Sequence, residues 1–488
     1  MLHTTSEQLL QQLRRSNGSA GVTPMRLGAS RDQQITGGEA ALYTVPRGQV
    51  FLMTQFVQQV GGVAAGVSSA YDPSPAASYG GFNLLDVSGS TQSTGGFASF
   101  IRRLGVFDNG TDPTPSWLNS PPGNNVVAWK PRYPLAVFGG WTVQSSTTIG
   151  GNFHNGSTVY GVLVDEDTAR SMGFQVSGYS PDDTRRTFVT SATADATIAA
   201  RAGQSIRILD VHVRLQPDTD RVTSGQTQYI ELKQATDVRT LHKFINNNQS
   251  DMLEMQFSPA DCWFLGENKA LEIDFQGSDV GSITIMYEYV DANEVPGDVF
   301  WGSVSPTKPS PGLSTGAAPN PVVSTAVSLY FPGRYNLSPT PATAEYAHAT
   351  PAQGEQYVLY GYGVSSQTLI GSGSGGAIPT PDQTLFTLSS GSTGGTIGST
   401  QANYQLGPVF GALSHDHNVS AVVDDLYVPC APSNGQIFVD TIGYGPATGG
   451  FSAVATPGNT NNGIDDWQVS VWGRANVDMV STPTNQGV

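Results

Sequence analysis

Residues 41–57, ALYTVPRGQVFLMTQFV, recur in outline twice more, and a chain built from copies of one strand–turn–strand unit is restricted to repeated β-architectures. Around Gly203 the unit reads ATIAARAGQSIRILDVHV, and around Gly354 it reads AHATPAQGEQYVLYGYGV. Aligned on Gly48, Gly203 and Gly354, the position three later holds Phe51, Ile206 and Tyr357. Five later come Met53, Ile208 and Leu359, and eight later Phe56, Val211 and Tyr362. The step of two from the first set to the second is the period of a strand with one buried face. A glycine at the turn tolerates positive φ. The expected fold is therefore all-β, two to three β-sandwich domains in series with a short N-terminal helix.

Bulk properties agree with that reading. A length of 488 residues leaves room for about three domains of roughly 110–150 residues each. Gly (57) and Pro (31) are abundant while charged residues make up only 13%, which suits many turns and short strands and disfavours long exposed helices. The same excess could signal disorder, but regular aromatic and β-branched runs oppose that for most of the chain. A net charge of −16 makes nucleic acid an improbable partner, because neutralising phosphates takes clustered Lys and Arg. No window approaches the apolar length of a membrane span, and the N-terminus lacks the apolar core of a secretory signal. The expectation is synthesis in a cytoplasm. Two cysteines, Cys262 and Cys430, exclude a disulfide framework, and Cys262 in ADCWFL reads as a buried inert thiol.

Taken in order, residues 1–32 read as an N-terminal helix and anchoring arm. Thr5 can cap the helix with Gln8 three later as a capping box; Leu9, Leu10 and Leu13 line one side, and Gly18 stops it. About eleven residues are marginal as a free helix. The two readings are docking onto a partner through the three leucines, or packing on the chain's own first domain. Residues 33–170 form the first sandwich, with a Pro-rich loop at 108–122. Residues 186–292 form the second, with a short helix expected at 240–245. Residues 293–321 read as a Pro/Gly-rich linker anchored by Phe300 and Trp301, 322–480 as the third sandwich, and 481–488 as a loose tail.

Sites of chemistry are sparse. His415, Asp416 and His417 with Asp424 and Asp425 nearby make the best metal candidate, although loop polarity explains them more cheaply. The groups Asp165–Glu166–Asp167, Asp182–Asp183, Asp218/Asp220 and Asp465–Asp466 lack any calcium-loop pattern and read as solvated turns. Tyr71, Tyr79 and Trp117 could stack on sugars or fill cores. No GxSxG, HExxH or GxxxxGK[ST] motif is present, so no catalytic residue, metal or cofactor is assigned.

The repeated module, as in TVPRGQVFLM and TPAQGEQYVL, resembles the jelly-roll-type sandwiches of tailed-bacteriophage virion proteins: capsid decorations, head fibres, collar, tail and receptor-binding parts. The resemblance implies a non-enzymatic virion component, anchored through Leu9, Leu10 and Leu13, that forms a homo-oligomer, a trimer favoured, with other virion proteins as partners. The lack of coiled-coil or short strict repeats favours a globular decoration, vertex or collar part over a thin fibre. The rival readings are a carbohydrate-binding adhesin or receptor-binding tail spike with a host-surface glycan as partner, and a polysaccharide-degrading spike.

Overall fold

Three pairs of antiparallel sheets follow one another along the chain. The structure is a computed structural model; it describes residues 5–9, 11, 22–35, 38–63, 79–91, 102–103, 125–148, 153–179, 183–192, 194–215, 228–235, 239–245, 252–258, 263–277, 281–305, 322–336, 347–348, 355–370, 383–391, 404–406, 410–412, 420–431, 435–444 and 462–476.

The first sandwich comprises β1 (Val22–Ile35), β2 (Gly38–Thr44), β3 (Gln49–Val63), β4 (Tyr79–Leu85), β5 (Arg102–Arg103), β6 (Asn125–Trp129), β7 (Leu135–Val137), β8 (Thr142–Thr148) and β9 (Phe153–Asp165). The second comprises β10 (Thr187–Ala192), β11 (Ala196–Ile198), β12 (Gln204–Leu215), β13 (Tyr229–Gln234), β14 (Arg239–Ile245), β15 (Met252–Gln256), β16 (Trp263–Phe264), β17 (Leu271–Gln276) and β18 (Gly281–Asp291). The third comprises β19 (Val299–Val304), β20 (Val322–Ala326), β21 (Leu329–Tyr330), β22 (Ala347–His348), β23 (Gln356–Ile370), β24 (Gln383–Gly391), β25 (Tyr404–Gln405), β26 (Phe410–Ala412), β27 (Ser420–Val423), β28 (Val428–Pro429), β29 (Gln436–Tyr444) and β30 (Asn462–Asn476).

Their sheets are β1-β9-β3-β6 against β2-β8-β4-β5, then β10-β18-β12-β15 against β11-β17-β13-β14, then β19-β30-β23-β27 against β20-β29-β24-β25. With β6/β7, β15/β16, β25/β26 and β27/β28 each taken as one interrupted strand, every sandwich has eight strands in the order 1-8-3-6 facing 2-7-4-5. That is the jelly-roll arrangement of paired Greek keys. In the third sandwich β21 and β22, inserted between the second and third strands, widen the first sheet beyond β19.

The sequence repeat is the entry to the third strand of each roll. Gly48 and Gly203 have φ of +81° and +71°, the left-handed conformation a glycine adopts without strain; Gly354 lies outside the described residues. The expected hairpin is corrected by this topology, because β2 and β3, or β11 and β12, belong to opposite sheets, so the glycine turn carries the chain across the sandwich. The spacing of three, five and eight also has a structural cause. Each third strand slips register against its last-strand partner between Met53 and Gln55, between Ile208 and Asp210, and between Leu359 and Gly361. The extra residue, Thr54, Leu209 or Tyr360, stands six after the aligned glycine in all three copies. A bulge there returns the eighth position to the face that the third and fifth occupy. All nine apolar side chains at these positions are buried.

A second repeated device closes the first two rolls. Asp165 and Asp291 each end a last strand and cap the turn that follows: a short helix at Glu166–Ser171, where Asp165 accepts from Thr168 N, and a 3-10 turn at Ala292–Glu294, where Asp291 accepts from Asn293 N. Glu166 N then donates to Gly48 O at 3.3 Å and Ala292 N to Gly203 O at 3.0 Å. Each roll's exit is thus hydrogen-bonded to its own glycine turn.

Three boundaries differ from expectation. Residues 22–32 are not an arm but the start of β1, paired with β9 along most of its length. Residues 240–245 form strand rather than helix, because β13 supplies a full ladder to β14 and seven residues are too few for helix propensity to compete. The supposed linker 293–321 contains β19, whose VFWGSV is laddered to β30 and β21. Proline is absent from that run and resumes only at Pro306; residues 306–321 lie outside the described residues.

Candidate functional site

Leu9 is 3% exposed and belongs to the core of the chain itself. Residues 6–9 are helical, and the capping box forms reciprocally: Thr5 N donates to Gln8 Oε1 at 3.0 Å and Gln8 N to Thr5 Oγ1 at 3.2 Å. Ser6 then ties the turn to the first sandwich, its N–H donating to Arg132 O at 2.6 Å and its hydroxyl to Pro131 O at 2.8 Å. Leu9 therefore packs inward rather than facing a partner, since the capped turn is fastened along the 131–132 backbone. Leu10 and Leu13 lie outside the described residues, as do Tyr71, Trp117, Cys262 and the His415–Asp416–His417 run.

Phe300 and Trp301, at 0% and 2% exposure, are core residues of β19. The Trp301 indole N–H donates to Phe264 O at 2.8 Å, so this residue fastens the third sandwich to the second. It opens onto the first of two joints, where β14 and the β15–β16 edge meet the first sheet of the third roll. There Ile245 N donates to Ser365 Oγ at 2.7 Å and Ser303 Oγ to Thr240 O at 2.6 Å. Trp472 sits edge-on to Trp263 (5.6 Å, 88°) and Phe257 (5.3 Å, 76°). Gly361 lets the indole lie against the strand, since a Cβ there would stand 2.3 Å from the Trp472 ring.

Ser470 and His242 face each other across the same joint, Oγ to Nδ1 at 2.9 Å. A serine beside a histidine is the beginning of a nucleophile–base pair. Both residues are 0% exposed, burial lowers the His242 pKa to about 3, and its Nε2 meets no orienting carboxylate among the described residues. No substrate reaches such a pair; its chemistry is that of a joint. Cys430 is similarly sealed, a free thiol whose pKa burial pushes up to about 12.

The second joint brings all three rolls together. Trp129 of β6 donates its indole N–H to His212 Nε2 of β12 at 3.1 Å, and the same nitrogen lies 3.1 Å from Asp210 Oδ1, with Glu254 Oε1 3.9 Å from Nδ1. Gln256 Nε2 donates to Lys130 O at 3.3 Å. Arg132 of the first roll forks onto Asp425 of the third, its Nη1 2.9 Å from Oδ1 and its Nη2 on Oδ2. The neighbouring Asp424 carboxyl has its pKa raised by burial first and by Asp425 second. Asp424 and Asp425, singled out as metal ligands in sequence, thus serve the joint, and no metal-holding cluster exists among the described residues. Asp183 pairs with Arg185, while Asp165 caps its helix. Sequence reading missed His242, His212 and Trp472, because nothing in their spacing marks residues of separate rolls that meet only in three dimensions.

No family model matches the sequence, and no curated protein is similar to it. Among solved structures, the STIV MCP is similar at 13% identity and a TM-score of 0.26, over 55% of this chain and 97% of that one. The major capsid protein P2 from Bacteriophage PM2 is similar at 12% identity and a TM-score of 0.22, over 55% of this chain and 98% of that one. TM-scores this low mark a loose likeness of chain trace and bear on neither fold detail nor function.

Proposed function

We propose that this chain is a non-enzymatic structural component of a virion, a rigid block of three jelly rolls that assembles with copies of itself. The observation that carries the reading is the pair of buried joints. Jelly rolls recur in viral shells and in lectins, so the fold by itself decides little. Here, however, the rolls are fused by apolar and hydrogen-bonded contacts, with Trp472, Trp301, His242 and Trp129 all at most 2% exposed. A block whose parts hold one orientation suits repetition on a symmetric surface. The sealed Ser470–His242 pair gives catalysis no foothold. Symmetric closed assemblies are the usual form for repeated chains, and a trimer is the finer form proposed, within a tailed-phage particle.

Multi-angle light scattering of the purified chain across a concentration series, followed by negative-stain microscopy, tests the assembly. The expected result is a discrete symmetric oligomer or closed shells. A monomer at every concentration that also forms no particles in negative stain would overturn the reading.

A further inference from the structure

The first joint closes on one buried imidazole. His242 of β14 meets Ser470 of β30, Oγ to Nδ1 at 2.9 Å, and both residues are 0% exposed. The Phe244 ring stands edge-on to the imidazole at 4.6 Å. Gly363 of β23 brings the backbone of the third roll down onto the same spot: a Cβ there would lie 2.7 Å from Met255 Cε and 3.2 Å from His242 Cε1. The described charged side chains of the strands around the ring are Glu231 and Lys233 of β13, Arg239 and Lys243 of β14, Glu254 of β15 and Arg474 of β30. β19 has no titratable residue, and β23 has only tyrosines, which stay neutral below pH 7. Burial is the cause that lowers the basicity of the imidazole, and none of these groups contributes to it. An imidazolium here would be a charge taken out of water.

Each side of the joint has a core of its own, one running through the first two rolls and one filling the third. Parting them would expose His242 at the cost of the Trp301 and Trp472 contacts and leave the rest of both cores in place. The tie across the second joint, the Arg132–Asp425 fork, resists little, because Asp425 is 62% exposed. We propose that the joint between the second and third rolls is an acid-released hinge: protonation of His242 favours a state in which the third roll has swung away from the other two while all three stay folded. The opened state takes up the proton with an ordinary histidine pKa of about 6.5, the closed state only near a pKa of about 3. Closure is therefore fully favoured above the higher value and weakens as pH falls toward the lower one. The ratio of opened to closed chains rises about 25-fold between pH 7 and pH 5.

Amide hydrogen exchange on the full chain tests the hinge. The Ile245 N–H reports the joint, because it donates across it to Ser365 Oγ at 2.7 Å. Ile273, laddered to β11 and β13, and Val439, laddered to β20 and β24, report unfolding of the second and third rolls. After correction for the intrinsic effect of pH on exchange, Ile245 should be at least about tenfold less protected than Ile273 and Val439. Its protection should fall about 25-fold from pH 7 to pH 5, and in His242→Gln by less than about threefold. Should His242→Gln not fold, His242→Phe carries the comparison, with thermal melts confirming the fold of each variant. Equal protection at Ile245, Ile273 and Val439 would mean that the joint parts only when a roll unfolds. Protection of Ile245 that ignores pH would mean that His242 stays buried in the opened state, and a fall of the same size in the variant would assign it to other groups. Each of these outcomes overturns the proposal. The exchange is read within single chains and does not depend on whether they assemble into particles.

Discussion

His242 shows what a joint does to a titratable side chain. Its folded pKa is depressed to about 3 by burial, so the ring is neutral in the native state. When a folded pKa lies below the unfolded one, the contribution is fully present above the unfolded value of about 6.5 and is lost as pH falls toward the folded value. Denaturant unfolding at pH 7 and pH 5 should therefore show the native chain losing about 2 kcal/mol from this residue alone. His242→Gln, which keeps a partner for Ser470 but does not titrate, should remove that part of the pH dependence. An equal acid loss in both proteins would contradict the assignment. Gly361 gives a second residue-scale prediction. A methyl at this position would press on the Trp472 ring, which Trp263 and Phe257 hold from other sides, so Gly361→Ala should cost about 1–3 kcal/mol in an unfolding titration.

At the level of elements, the N-terminal turn is short and is held by few fastenings. One helical turn, one capping box and two hydrogen bonds from Ser6 hold it to the 131–132 segment, with Leu9 as its apolar contact. Thr5→Ala should remove about 1 kcal/mol of capping, but the loss should be local. Hydrogen exchange at the Ser6 amide should accelerate while the melting temperature of the whole stays put; a fall in global stability would mean that the turn belongs to the cooperative core. The third strands behave differently. Their bulges sit between two laddered neighbours, and the glycine turn before β3 and β12 is bonded to the exit of the same roll, so these strands should be among the slowest to exchange.

For the whole molecule, one apolar core runs through the first two rolls and takes in Val299, Trp301, Tyr330 and Trp472 of the third. A second core, with Phe300, Tyr357 and Leu388, fills the third roll itself. Calorimetry should show the first two rolls melting together. A chain ending at residue 292 should melt at a lower temperature than the full protein, because Phe257 and Trp263 would lose the cover of Trp472. Independent transitions at unchanged temperatures would show that the joints are weaker than their burial implies. The Arg132–Asp425 fork is less consequential: Asp425 is 62% exposed, and Arg132→Ala should change stability by no more than about 1 kcal/mol.

What was legible in the sequence is what lies within one strand and its turn. The glycine at the crossing, the alternation that follows and the Thr5–Gln8 capping box all depend on neighbours a few residues away. Even the bulge was present as the odd step from five to eight, though only the register of a partner strand turns that step into a bulge. Backbone sterics and periodicity act locally, so they leave a local record. The strand order, the membership of β19 in the third roll, the strand state of β14 and both joints depended instead on partners far along the chain. Trp301 meets Phe264, His242 meets Ser470, and Arg132 meets Asp425, across separations that no spacing rule spans. Burial and hydrogen-bond satisfaction are settled by what the folded chain brings alongside, and only the tertiary structure decided them.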